Sequence, residues 1–405
     1  MNRIKVAWLC HLTSPELNQY YGTDKKEIAA WIPQFIDVIK NQTELEIHII
    51  APNYYTNKND DFEINRIHYH LFKFYSTIIP NHLSTLFFIL NKGRRVKSEV
   101  NRIVEKINPN IVHLYGSENF TYSEGILPLL GKYKVLISIQ GLISDVANKG
   151  NLYRRYIINQ RIQIENEINS EFKNFTFSCT DNNFLQKFLD KYPGKNVYEL
   201  IFPTKIPSID ATTVKKEFDL VFWGRISVNK GIEDFIQAVA ILSRKKNNFK
   251  ALIVGSCSEQ YYKRISQFIS NYKIKENIVF AGYQKSDNDL FAWVSKAKVY
   301  ALPTYFDAMP GSIRESMFLK IPVVSYPVGL IPEFNKSKKC ILLAKERDIE
   351  DLAEQIWTLL NNKALYGEIV DNAYDEIKYR YSNERIYGQL MKCYNDILHI
   401  DSKKV

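Results

Sequence analysis

The chain has 405 residues, 45% of them hydrophobic, with 54 Lys and Arg against 44 Asp and Glu for a net charge of +10. That length suits two domains with separate cores, and 26 Tyr with 23 Phe exclude a disordered chain. No apolar run reaches the roughly 18–20 residues of a membrane span, and the charge divides evenly (25 basic and 21 acidic residues in 1–210, 29 and 23 in 211–405), which sets nucleic acid aside as a partner.

From the N-terminus, Ile4–Leu9, Leu45–Ala51, Ile111–Leu114, Val135–Ile139 and Phe175–Cys179 are short Val/Ile-rich runs that predict buried strands. The segments between them are long enough for crossover helices, so the sheet is expected to be mainly parallel. Val6–Cys10 has no small-residue cleavage site behind it and reads as strand, not leader. The five cysteines are scattered and never form a CxxC pair, which fits a reducing cytoplasm and neither a disulfide framework nor a zinc site. Residues 92–106, with Lys92, Arg94, Arg95, Lys97, Arg102 and Lys106, follow an aromatic and apolar stretch from Phe72 to Leu90. Such a 72–106 segment suits an anionic membrane surface, or is an ordinary solvated helix after a buried run.

Prolines at 203 and 207 mark a linker, after which the alternation resumes. Strands are expected at Asp219–Trp223, Lys250–Val254, Asn277–Phe280, Lys298–Leu302, Pro322–Ser325 and Cys340–Leu343. Ile232, Phe235, Ile236, Val239 and Leu242 mark the apolar face of one helix, and helical patterns near 365–380 and 383–398 close the chain. The fold class is therefore α/β, with two Rossmann-like doubly wound domains in tandem and a ligand cleft between the carboxyl ends of their strands.

Two segments carry chemistry. In D-L-V-F-W-G-R-I-S-V-N-K-G, residues 219–231, a strand ends in a glycine turn that offers Arg225 and Lys230 to one anionic group. A diphosphate is a natural target; pairing with the nearby Glu233 and Asp234 is the plainer reading. In P-T-Y-F-D-A-M-P-G-S-I-R-E-S-M, residues 303–317, Asp307 sits in a loop, and Pro310 and Gly311 prepare a helix start. Free N–H groups at Gly311 and Ser312 make an anion site, and Glu315 can accept hydrogen bonds from vicinal hydroxyls; an Asp307 that merely ends a turn and a Glu315 that merely complements the helix dipole are the plainer reading of this segment alone.

Together these segments resemble the retaining glycosyltransferase family 4, which has the GT-B fold. Asp307 and Glu315, with seven residues between, match its E-x7-E element, and G-R-I-S-V-N-K-G matches its G-R-x4-K-G signature. Residues 321–333, I-P-V-V-S-Y-P-V-G-L-I-P-E, are similar to the following strand and V-G-G-I-P-E turn. The resemblance is close over 219–360 and looser over the N-terminal half. It implies an N-terminal acceptor domain over 1–205, a nucleotide-sugar domain over 206–382, and a 383–405 helix and tail crossing back to the first domain.

The resemblance also implies roles. Arg225 and Lys230 would hold the diphosphate of a UDP- or GDP-linked sugar, and Asp307 would contact the transferred sugar. Gly224, Gly311 and Ser312 would offer backbone to sugar or phosphate, Glu315 would grip the ribose, and Tyr283 would flank the base. Gly22, Gln140 and Gly141 would line the acceptor or sugar cleft. The acceptor would be a glycan or lipid-linked hydroxyl, and neither a metal nor a further cofactor is implied. The chain departs from the pattern at Asp307, in place of Glu, and at Gln140, where many members carry a His. A sugar-nucleotide epimerase of the same fold and a non-catalytic sugar-nucleotide-binding protein are the alternative readings.

Three weaker signals remain. Asp287-Asn288-Asp289 imitates a D-x-D metal motif but is placed to cap a helix. His68 and His70 alternate on one strand face with no third ligand evident. His113 lies near a strand end, as a cleft or core histidine.

Overall fold

The computed structural model describes residues 3–25, 28–29, 31–73, 93–139, 141–145, 152–177, 182–307 and 309–399. Gln140 and most of the Phe72–Leu90 stretch lie outside them. The chain divides into two compact units: residues to Pro203 together with the stretch from Asn383, and Thr204–Ser382 between.

Among its described residues the first unit holds eight strands: β1 (Ile4–Leu9), β2 (Leu45–Asn53), β3 (Asp60–Ile64), β4 (Ile67–Lys73), β5 (Ile111–Tyr115), β6 (Lys134–Ile139), β7 (Asn174–Phe177) and β8 (Asn196–Glu199). They lie in the order β3-β4-β2-β1-β5-β6-β7-β8, parallel throughout except for the β3–β4 hairpin at one edge. β5 is buried at every residue, as a strand covered by helices on both faces must be. Helix Arg94–Ile107 presents Val96, Val100, Ile103 and Val104 to this core. Its outer cations meet acids: Lys97 with Glu124 at 3.3 Å, Arg102 with Glu99 at 2.9 Å, and Lys106 with Asp61 at 3.0 Å.

Helix Asn383–His399 returns to this first sheet. The buried Tyr394 hydroxyl accepts a hydrogen bond from Trp8 Nε1 at 2.9 Å and lies 2.9 Å from His113 Nδ1. His113 is thus a core residue, and burial alone pushes its pKa down to about 3. Ile201 N–H donates to Gln389 at 3.0 Å, so the chain leaves and re-enters this unit at adjacent places.

The second unit contains β9 (Phe218–Trp223), β10 (Ala251–Val254), β11 (Ile278–Gly282), β12 (Ala297–Leu302), β13 (Val323–Ser325) and β14 (Ile341–Leu343). Their order is β11-β10-β9-β12-β13-β14, all parallel. Strand order reverses at β9, between β10 and β12, and in such sheets ligands bind beyond the carboxyl ends at that reversal. Among the described residues no helix is long and apolar enough to cross a membrane.

Candidate functional site

The carboxyl ends of β9 and β12 are joined by backbone. Gly231 has φ +70°, and a Cβ there would lie 1.7 Å from the Pro303 carbonyl oxygen, so no side chain fits. Beside it, the Asn229 carbonyl accepts from Tyr305 N–H at 2.8 Å and from the Thr304 hydroxyl at 3.0 Å. These bonds carry Lys230 onto Asp307, and the two form an ion pair. Glu233 and Asp234, the nearby acids in sequence, are engaged elsewhere. Glu233 pairs with Arg264 at 2.8 Å, and buried Asp234 accepts from the Tyr305 and Tyr326 hydroxyls at 2.6 and 2.8 Å. Arg225 is exposed and pairs with no acid among the described residues.

A second close approach escaped the sequence reading. Gly255, just past β10, would place a Cβ 1.8 Å from the Gly224 carbonyl, and its N–H donates to the Gly282 carbonyl at 2.9 Å. Gly224 has φ +137°, with open space where its side chain would be. Three strand-end loops therefore meet as bare backbone, and Tyr283, 63% exposed, follows directly on the third. The signal for Gly255 was a lone glycine after an apolar run, which spacing alone does not distinguish from a turn.

Helix Gly311–Phe318 starts after Pro310 with no side-chain cap, leaving its first N–H groups open. It is anchored to the sheet from below: Trp223 Nε1 donates to Ser316 Oγ at 3.1 Å, and the Tyr300 hydroxyl lies 2.8 Å from Ser312 Oγ. Ser312 thus spends its hydroxyl on structure and has its backbone to offer. Glu315 is half-buried as a residue, yet protein atoms crowd its carboxyl. That desolvation pushes its pKa up to about 7, against the pull of the Arg314 guanidinium. Arg314 stacks over Tyr381 at 5.1 Å, and its Nε is buried without a hydrogen-bond partner. Phe306, 81% exposed beside Asp307, was also missed.

Asp287 and Asp289 fall inside helix Asp287–Val294, whose cap is Ser286; Asp287 pairs with Lys205. In the first unit, Gly22 ends helix Pro15–Tyr21 with φ +63°, and Gly141 is exposed. Gln140 lies outside the described residues.

Residues 208–376 match the family of glycosyl transferases group 1. The second unit carries a group 1 glycosyltransferase domain. A capsular polysaccharide biosynthesis glycosyltransferase of Staphylococcus aureus is 24% identical over 45% of this chain and 47% of its own length. This chain spans about half the length of the curated relatives it matches. Among solved structures, the sucrose-phosphate synthase of Thermosynechococcus elongatus superposes with a TM-score of 0.72 at 16% identity, covering 98% of this chain and 99% of that one. Anabaena HepE, solved with UDP and glucose, gives 0.64 at 13% identity over 97% and 100%. The fold is GT-B, and the glycosyltransferase domain holds both sequence segments that carried the resemblance.

Proposed function

We propose that this chain is a retaining glycosyltransferase of family 4, moving a sugar from a UDP- or GDP-linked donor to an acceptor hydroxyl in surface-polysaccharide or lipid-linked glycan synthesis. The observation that carries this reading is the meeting of Lys230 and Asp307 where strand order reverses, beside exposed Arg225 and an uncapped helix start. In the ligand-free chain Lys230 and Asp307 neutralise each other. A bound donor separates their tasks, with Arg225 and Lys230 on the diphosphate and Asp307 on the sugar hydroxyls.

The bond from the anomeric carbon to the phosphate oxygen breaks, and the acceptor oxygen bonds to the same face. The acceptor proton passes to the departing phosphate oxygen. Charge gathering on the nucleotide is met by Arg225, Lys230 and the first N–H groups of the helix at Gly311 and Ser312, an electrostatic role that needs no divalent ion. Glu315 accepts from the ribose hydroxyls, and Tyr283 flanks the base. A glucose-linked UDP donor is consistent with what HepE was solved with. The S. aureus relative's role in capsular polysaccharide biosynthesis supports a glycan acceptor.

Thermal unfolding against UDP, GDP, ADP and CMP tests the donor site. Ligand at ~100 times its Kd adds about 2.7 kcal/mol, a shift of several degrees. One diphosphate is expected to raise the midpoint, and Arg225→Ala to abolish the rise. No response to any of the four at millimolar concentration refutes the reading. Donor turnover without acceptor would instead identify an epimerase. Peripheral membrane association belongs to the same proposal, supported by exposed Arg94 and Arg95 and by Leu152 and Tyr153, 82% and 51% exposed. Charge-reversed Arg94 and Arg95 should release the protein from anionic vesicles; unchanged sedimentation with them removes the membrane from the scheme.

A further inference from the structure

The amino-terminal halves of β2 and β4 carry a second constellation, unrelated to the donor site. Parallel pairing sets His48 opposite His68, and antiparallel pairing sets Glu63 opposite His68 and Asp61 opposite His70. Glu46 lies two residues before His48 and so on the same sheet face. One ligand atom each from Glu46, His48 and His68 fall within 4.8 Å of one another. The third ligand that the sequence did not reveal beside His68 therefore comes from the neighbouring strand.

We infer that Glu46, His48 and His68 form a binding site for a first-row divalent transition ion, zinc being the best match, with a fourth position open to water or a small anion. Two imidazoles and a carboxylate are an ordinary zinc donor set for a site that keeps one position open. Glu46 Oε1 and His48 Nε2 are 3.0 Å apart, close to the ~3.3 Å that a tetrahedral ion with bonds of about 2.0–2.1 Å imposes on neighbouring ligand atoms. His68 Nδ1 is held by Glu63 at 3.3 Å, which leaves Nε2 to ligate. Its ring stacks on His48 at 4.5 Å, and its side chain, 35% exposed, has room to shift toward the ion while Nδ1 keeps Glu63.

The surrounding hydrogen bonds support an ion in place of a proton. His48 Nδ1 lies 3.0 Å from His70 Nε2, and His70 Nδ1 lies 2.8 Å from Asp61. With an ion on His48 Nε2, Nδ1–H donates to His70 Nε2 and His70 Nδ1–H donates to Asp61. Every ring nitrogen is then satisfied with both imidazoles neutral. Without the ion, Nε2–H must donate to Glu46, and the two buried rings have to share an additional proton to keep their mutual contact. Carboxylates holding the outer nitrogen of a ligating histidine, directly or through a relay, are the usual support of a metal site. Lys5, 3.2 Å from Glu46, opposes the ion by pairing with one of its ligands.

Glu46, Glu63 and His68 also line a cavity of about 360 Å³, together with Arg3, Lys40 and Arg66. The open coordination position faces a basic chamber, which favours an anionic fourth ligand such as phosphate or a carboxylate.

The test is titration of chelator-treated full-length protein with Co²⁺ and then Zn²⁺. One equivalent of cobalt should give the visible bands of a four-coordinate ion, and zinc should displace it. His68→Gln and Glu46→Gln should abolish the bands with unchanged far-ultraviolet circular dichroism. Glu63→Gln should weaken binding about 10–100-fold, and His399→Ala should leave it intact. Absence of stoichiometric binding to the parent chain, or binding that survives His68→Gln undiminished, overturns the assignment and leaves a self-satisfied hydrogen-bond network.

Discussion

Gly231 and Glu315 show how single residues shape the proposed donor site. A methyl at Gly231 meets the Pro303 carbonyl at 1.7 Å and needs a left-handed backbone. Gly231→Ala should cost about 2–5 kcal/mol, read as a lower urea midpoint that Gly367→Ala, where a Cβ has open space, does not reproduce. Glu315 makes a pH prediction. Its folded pKa, about 7, stands above the ordinary 4.5, so the folded state keeps a proton that the unfolded state releases. The ligand-free chain therefore loses this contribution as pH rises from about 4.5 to 7, and keeps it whole below 4.5. A ribose that donates two hydroxyls needs the ionised carboxylate, so nucleotide affinity should rise nearly tenfold between pH 6 and 8. Calorimetry on Glu315→Gln should show that rise flattened, relative to the parent chain in the same buffers. The placement of Lys230 and Asp307 in strand-end loops and of Glu315 in the helix that follows was legible because spacing after a strand end fixes where a side chain emerges. Asp234, Tyr305 and Tyr326 were not, since their hydrogen bonds join three distant segments without any periodic signal.

At the scale of elements, most strands announced themselves, the edge strands β11 and β14 included, while β3, β4 and β8 did not. β1, β5, β9 and β12 are largely buried and read as predominantly apolar runs, each interrupted by one polar residue (Lys5, His113, Asp219 and Lys298). The β3–β4 hairpin alternates polar residues, and its turn is Asn65-Arg66, both with positive φ (51° and 67°), where glycine would have been the cue. β8, four residues at the opposite edge with no buried position, was missed for the same lack of an apolar run. Helix Asn383–His399 was legible as a helix from its period, but its hydrogen bonds to Trp8 and His113 required coordinates. Tyr394→Phe leaves Trp8 Nε1 and His113 Nδ1 without this buried partner, a loss of about 2–4 kcal/mol. Chemical denaturation followed by first-unit amide exchange should register it, and a change below about 0.5 kcal/mol would show that the helix is held by apolar packing alone.

For the whole molecule, the governing fact is that the glycosyltransferase domain is an insertion within the first unit. Removing residues from Asn383 onward should expose the Trp8 surface and lower first-unit stability while nucleotide binding to the second unit survives, as differential scanning calorimetry with UDP or GDP can show. Ile201 bonded to Gln389 marks the narrow neck through which the 179 residues of that insertion pass. While the insertion is folded, its own structure keeps its two ends together. Once it melts, the first unit must hold a 179-residue slack loop closed, an entropic burden on the order of 4–5 kcal/mol. The two halves are therefore unequal in dependence: the insertion can outlive its host more readily than the host can outlive the insertion. A nucleotide that never touches Trp8 should still slow the exchange of amides around it.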